Sequence, residues 1–287
     1  MIARIVRIVS KHYQLLCEDG RRVDAGLMGK VRLQTRPCTG DLVEADYVQN
    51  QYVIQKILPR RNHLIRPFVA NVDQALIVMS VKDPDFSPAL IDRLSFLIVN
   101  AGITPLLCVT KTDLGIDEET EARIQEYEAG PMHVIRTGAG TLDPSLAGVL
   151  KDKVTVLTGQ SGAGKSTLLN TLEPSFRLAT QEISKALGRG KHTTRHNELH
   201  PVAGGLVCDT PGFSSLDFSH MSVTDLAESV QEFAPYLGQC RFNDCVHQNE
   251  PGCAVKQAVS DGHVPMIRYQ NYLQILKMIQ ERKEKYL

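Results

Sequence analysis

The stretch Gly159-Gln160-Ser161-Gly162-Ala163-Gly164-Lys165-Ser166, with Thr167 behind it, constrains the fold of this 287-residue chain more than any other. It fits G-x-x-x-x-G-K-[ST] in full, and its surroundings are those the motif requires. The apolar, β-branched run "KVTVLT" leads into it, and "LLNTL" can continue as a helix. Strand, glycine turn and helix in that order predict a parallel α/β sheet. The glycines let backbone N–H groups close on phosphate oxygens. Lys165 is then placed to reach the β- and γ-phosphates, Ser166 to ligate Mg²⁺, and the helix start adds its positive dipole.

Two further fragments belong to the same chemistry. "GGLVCDTPG" puts Asp209 at the end of an apolar strand, where it can hold Mg²⁺ through water while the Gly212 N–H faces the γ-phosphate. "CVTKTDLG" carries Thr110, Lys111, Thr112 and Asp113. A carboxylate at Asp113 can accept from both N1–H and the 2-amino group of guanine, donors that adenine lacks there, and the Lys111 stem can cover the base plane. Alone, each fragment also reads as a strand-end turn. Together they predict one guanine nucleotide site, yet the base-reading fragment precedes the phosphate loop by about fifty residues. A parallel sheet needs spatial neighbours, not a fixed starting strand, so this order predicts a circularly permuted P-loop GTPase domain. Phe213 follows the Asp-x-x-Gly fragment and cannot hydrogen-bond a water. Slow intrinsic turnover is therefore expected, with His192 in "GRGKHTT" as a water-positioning candidate and Thr193 or Thr194 completing the Mg²⁺ shell. The competing reading of His192 is a solvated loop residue beside Lys191.

The rest of the chain differs in texture. Residues 1–58 hold short alternating runs punctuated by glycine, the pattern of a small β-barrel. Residues 1–66 carry twelve Lys/Arg against six Asp/Glu, although the whole chain has zero net charge. This local surplus suits a phosphate backbone, and it equally suits a solvated basic surface. "LPRRNHLIRP" (58–67) reads as a linker. "DQALIVMSV" and "GITPLLCVT" read as buried parallel strands. Between them a helix is capped by Ser87, has Pro88 in its first turn and stops at Gly102. After residue 221 the chain turns helical. A helix over 222–237 is expected, with Ser222 and Asp225 as a capping box, and a long basic amphipathic helix from Pro265.

Three of the seven cysteines, Cys240, Cys245 and Cys253, crowd together with His247. Three thiolates and an imidazole suit a tetrahedral, closed, structural Zn²⁺ site, the alternative being buried thiols or a disulfide. No apolar run approaches the ~18 residues of a membrane span, and the N-terminus lacks the continuous apolar stretch of a signal peptide. A cytoplasmic protein with no membrane partner is expected.

The segments "NVDQALIV", "GQSGAGKSTLLN", "GRGKHTTR", "DTPGF" and "CRFNDCVHQNEPGCAV" resemble the RsgA (YjeQ/YloQ) family of small-subunit-dependent, circularly permuted GTPases, and the resemblance runs along essentially the whole chain. It implies a multidomain α/β protein. Residues 1–62 would form an RNA-binding OB-fold barrel, 63–220 the permuted GTPase domain, and 221–287 a mostly helical zinc domain. It also implies action on the small ribosomal subunit and its rRNA in late maturation, and it supports His192 in the switch; a monomer is expected. Two positions depart from the family: Thr110 stands where Asn is usual, and "RTGAG" (136–140) replaces a Ser-Ala loop, with Thr137 as the candidate substitute. A GTP-dependent switch for a non-ribosomal protein partner is the rival reading. Because the second switch runs directly into the C-terminal segment, loss of the γ-phosphate is expected to change that segment's pose.

Overall fold

The fold is described from a computed structural model over residues 1–29, 36–64, 68–138, 143–174, 198–209 and 216–284. Five strands open the chain: β1 (Ile2–Val9), β2 (His12–Cys17), β3 (Arg22–Leu27), β4 (Leu42–Val48) and β5 (Gln51–Ile57). They close into a barrel in the order β1-β2-β3-β5-β4. β1 returns to β4 through Ile2↔Glu44 and Ala3↔Val43, and β3 and β5 pair in parallel through Ala25↔Tyr52. This five-stranded closure is that of an OB-fold. Alternation sends Ala3, Ile5, Tyr13, Leu15, Val43, Ala45 and Ile54 into one core, and it turns Arg4 and Arg7 outward until a register shift between Ile5 and Arg7 also buries Val6.

Residues 58–67, expected as a linker, are held in place over their described part. Arg60 forks onto the fully buried Asp41 carboxylate at 2.6 and 2.9 Å, and Arg61 meets Asp73 at 2.7 Å. His63–Leu64 forms β6, which pairs with β7 (Val69–Ala70). Composition alone reads two arginines and a proline as a solvated connector. Ion pairs to distant carboxylates override it.

Next come β8 (Gln74–Ser80), α1 (Pro88–Asn100), β9 (Thr104–Thr110), α2 (Glu118–Glu128), β10 (His133–Arg136), α3 (Ser145–Leu150), β11 (Val154–Gly159), α4 (Lys165–Leu172), β12 (Leu199–Val202) and β13 (Gly205–Asp209). Their strands form one six-stranded sheet in the order β10-β9-β8-β11-β13-β12. β9 with β10 and β11 with β13 run parallel, whereas β12 is antiparallel to β13. β8 is buried along its whole length, as its continuous apolar run predicts for a strand covered on both faces. At the start of α1 the Ser87 hydroxyl accepts from the Leu90 N–H at 3.3 Å, with Pro88 just inside.

The chain divides into two compact units. One comprises Met1–Gln74, Pro144–Thr158 and Lys165–Gly212; the other comprises Ala75–Asp143, Gly159–Gly164 and Phe213–Leu287. Within the first, β12 reaches the barrel: Arg7 bridges to Glu198 by backbone and by an ion pair at 3.3 Å. The second continues through α5 (Val223–Glu228), a 3₁₀ turn (Gln231–Tyr236), α6 (Ala254–Ser260) and α7 (Met266–Glu284). The Ser222–Asp225 capping box forms with both of its hydrogen bonds. The helix it starts is six residues long instead of spanning 222–237. Val230 turns extended (φ −86°, ψ 104°) with its side chain fully buried, and Pro235 admits only the tighter turn beyond. The core of this part joins Phe96 of α1 to Leu226, Phe233, Val255, Tyr272, Ile275 and Leu276.

Candidate nucleotide and metal sites

The phosphate-loop fragment leaves β11 at Gly159, whose φ is +121°. A Cβ there would stand 2.0 Å from the Val78 carbonyl oxygen, so only glycine allows the loop to pass β8 this closely. Gln160 through Gly164 form the turn, with the Ala163 N–H donating to the Gln160 carbonyl at 3.3 Å and Ala163 fully buried. Lys165, Ser166 and Thr167 open α4, Ser166 and Thr167 exposed. This is the strand–loop–helix arrangement whose N–H groups face an anion.

The base-reading fragment is brought against that loop. Thr110, at the end of β9, is buried, and its hydroxyl lies 2.6 Å from the Ala163 carbonyl oxygen and 3.3 Å from that of Met79. A hydroxyl has one proton, and the shorter contact takes it. Thr110 therefore ties the phosphate loop to the base-reading turn. We expect Thr110→Val, which keeps the shape and removes the donor, to leave the buried Ala163 carbonyl without this partner at a cost of ~1–3 kcal/mol. Nucleotide affinity should fall by about tenfold in a titration with a fluorescent GDP analogue, and an unchanged affinity would show that the tie is idle.

Lys111 takes the left-handed conformation (φ +59°), and its ammonium hydrogen-bonds the Asp83 carbonyl. Thr112 and Asp113 then start a 3₁₀ turn, Thr112–Leu114, at whose exit Gly115 lies. The 136–140 segment packs onto this turn as far as it is described. Thr137 is buried, its N–H donates to Val109 at 2.8 Å, and its carbonyl accepts from Thr112. A Cβ on Gly138 would lie 2.9 Å from the Thr112 hydroxyl and 3.0 Å from an Asp113 carboxylate oxygen. Sequence reasoning passed over Gly138; its place one residue after Thr137 was the available signal.

Asp209 ends β13, level with Leu157 of β11 in the parallel register. His192, Thr193, Thr194, Gly212 and Phe213 lie outside the described residues.

In the second unit, the ligand atoms of Cys240, Cys245, His247 and Cys253 all lie within 4.8 Å of one another. His247 Nδ1 is 3.6, 3.5 and 3.4 Å from the sulfurs of Cys240, Cys245 and Cys253, and the first and last sulfurs are 3.9 Å apart. A tetrahedral ion with metal–sulfur bonds of about 2.3 Å and metal–nitrogen bonds of about 2.0 Å has edges of roughly 3.5 to 3.8 Å, so the donor set fits a closed four-coordinate site. His247 is buried edge-on to Phe233, and burial lowers its pKa, which favours the neutral ligand form. The turn is fixed from outside. Tyr269 and Tyr272 of α7 donate their hydroxyls to the carbonyls of His247 and Val246 at 2.7 and 2.5 Å. The Glu250 carboxylate accepts from the N–H groups of Val246, Gln248 and Asn249. Cys253 also caps α6, accepting from the Lys256 N–H.

A phosphate loop at a parallel strand end, a base-reading turn placed before it in the chain and an N-terminal OB barrel define a circularly permuted P-loop GTPase. Comparison with known proteins gives the family. The model of the RsgA GTPase family matches residues 57–219. The chain is 42% identical to Small ribosomal subunit biogenesis GTPase RsgA 2 of Oceanobacillus iheyensis and 41% identical to the RsgA of Bacillus subtilis, with 99% of both chains covered in each case. It also matches the crystal structure of YloQ, a circularly permuted GTPase, with a TM-score of 0.83 at 35% identity, over 98% of this chain and 95% of that one. For the crystal structure of YjeQ from Thermotoga maritima the TM-score is 0.84 at 32% identity, over 97% and 98%. The chain belongs to the RsgA GTPase family.

Proposed function

We propose that this chain hydrolyses GTP to GDP and phosphate, binds the small ribosomal subunit and assists its late maturation, with turnover stimulated by that subunit. The observation that carries the nucleotide part is the 2.6 Å tie from Thr110 to Ala163, which brings two fragments 53 residues apart into one site. The ribosomal part is supported by full-length relatives that carry a small-subunit biogenesis name.

Within this reading Asp113 reads the guanine edge, Lys111 covers the base, and the backbone of Gly159 to Gly164 with Lys165 neutralises the phosphates. Thr112, Ser161 and Thr167 line the same stretch. Ser166 and Asp209 would hold Mg²⁺, which supplies charge neutralisation at the β- and γ-phosphates when bound. His192 would orient the attacking water, Thr194 would complete the magnesium ligand set, and Gly212 would meet the γ-phosphate. The cysteine cluster takes zinc in a structural role, since three thiolates and an imidazole are its preferred set. Residues 1–62, 63–220 and 221–287 act as rRNA-binding, GTPase and zinc-binding segments of a cytoplasmic monomer. Among the described residues no helix is long and apolar enough to cross a membrane.

The test is GTP turnover with and without purified small subunits. Stimulation by an order of magnitude or more is expected, and it should weaken as salt rises through the basic barrel's loss of phosphate contacts. His192→Ala should remove most of the stimulated rate while GDP affinity stays within about twofold, because the residue acts on the water and not on the base. Absence of stimulation would favour the non-ribosomal switch.

A further inference from the structure

Deep in the second unit lies a charged cluster that neither the nucleotide chemistry nor the metal uses. Asp92 of α1 is fully buried and Arg268 of α7 is 2% exposed. The Arg268 guanidinium meets the Asp92 carboxylate at 2.9 Å and Glu232 of the 3₁₀ turn at 3.2 Å, and it lies 4.3 Å over the ring of Tyr127 in α2. Tyr127 donates its hydroxyl to Asp92 at 2.7 Å, and Asn271 donates its amide to the other carboxylate oxygen at 2.6 Å. Burying such a pair carries a desolvation cost that apolar packing of equal volume avoids, so its net contribution to stability is small. What it provides is registration. One carboxylate, held by Tyr127 of α2 and by Arg268 and Asn271 of α7, fixes the relative rotation of α1, α2 and α7, with α1 and α7 otherwise sharing an apolar core.

Each helix so fixed leads to a functional end. α1 starts directly after the 81–87 loop, where the Asp83 carbonyl accepts from Lys111 and the Pro84 ring lies 3.6 Å from where Gly162 would carry a Cβ. α2 follows the Thr112–Leu114 turn, with only Gly115, Ile116 and its cap Asp117 between them. α7 holds the cysteine turn through Tyr269 and Tyr272, each the residue directly after one of the gripping pair, Arg268 and Asn271.

We propose that Asp92 and Arg268 are positioning residues for guanine recognition: through α1 and α2 they set the pose of the Lys111–Asp113 turn, and they tie that turn to the C-terminal helix. The inference rests on the assignment of Asp113 as the base reader. It joins the C-terminal helix to the base-reading side, in addition to the expected link through the second switch. Reciprocity then requires that nucleotide binding stiffen α7.

The experiment has two arms on the full chain. In the first, GDP, IDP and ADP affinities are measured by competition for the unsubstituted protein and for Arg268→Met. IDP lacks the 2-amino group, so the GDP/IDP ratio reports the Asp113 contact alone and does not move with general loss of stability. The ratio should shrink about fivefold or more in Arg268→Met. In the second, amide exchange of the unsubstituted protein is followed with and without GDP, and residues 266–273 should exchange several-fold more slowly in its presence. If the unsubstituted protein binds ADP as well as GDP, the base-reading assignment fails. If it prefers GDP but folded Arg268→Met keeps the full ratio, the positioning inference is overturned. If Arg268→Met does not fold, the exchange arm decides, and unchanged exchange in 266–273 overturns it.

Discussion

Cys253→Ala is expected to purify without stoichiometric metal and to melt more than about 10 °C below the unsubstituted chain. The two helices that flank the metal turn are too short to stand alone: α5 has six residues and α6 seven, well below the ~12 at which isolated helices become marginal. The turn joining them, from Cys240 to Cys253, has few regular backbone hydrogen bonds. A four-ligand ion held by the Cys/His cluster would close that turn, and for small metal-bound folds the binding free energy is largely folding free energy, on the order of 10 kcal/mol. A loss of about half of it, at roughly 2–4 °C per kcal/mol for a chain of this size, gives the expected shift. Cys253 is the ligand to choose because it is also the cap of α6. Cys245→Ala, which removes a ligand but no cap, separates the two contributions. Metal content by elemental analysis and a melting curve check both. A variant that keeps one equivalent of metal, or melts unchanged, would remove the cluster from the stability argument.

The second large effect is expected at the purine. Asp113→Asn should weaken GDP binding by a hundredfold or more, since it exchanges a charge-assisted double acceptor for an amide that presents a donor to the guanine 2-amino group, about 3 kcal/mol. The same amide donor matches the C2 carbonyl of xanthine, so XDP affinity should rise as GDP affinity falls. Competition of both nucleotides against a fluorescent analogue measures the inversion. Parallel loss of GDP and XDP binding would mean that Asp113 supports the turn instead of reading the base. Gly138 sharpens this prediction. Its missing side chain leaves room beside the Asp113 carboxylate, so Gly138→Ala should push that carboxylate aside and weaken GDP without creating xanthine preference.

Features written in adjacent residues were legible before any coordinates. The phosphate loop, the Ser87 and Ser222 caps and the Cys/His spacing each depend on atoms a few residues apart, and the structure places them as the spacing predicts. The barrel was legible because alternation reports a half-buried strand directly. What escaped was long-range. Asp92 sits beside Arg93 in an otherwise apolar helix and reads as part of its solvent face, yet its partner Asn271 lies 179 residues away. Arg268 looks like one more charge on a basic helix, and burial reverses that reading. The break at Val230 was hidden for a related reason. Local propensity permits a helix through it, yet the chain turns extended there with the side chain fully buried, and Pro235 favours the tighter turn beyond. At Thr110 the residue type was noticed, but its hydrogen-bond partner 53 positions later was not deducible from spacing.

The joining of β1 to β4 at the N-terminus also limits how anything can take hold of that end of the molecule. Among the described residues a closed ring of five strands leaves little unpaired backbone rim for another chain to extend by ladder bonding, and Arg7 is already bridged to Glu198. A ligand settling there is gripped by side chains and turn tips, with the exposed Lys11, Arg21 and Lys56 among the groups on offer. Its attachment should accordingly respond to ionic strength and to arginine replacement, and be indifferent to peptides that mimic a β-strand.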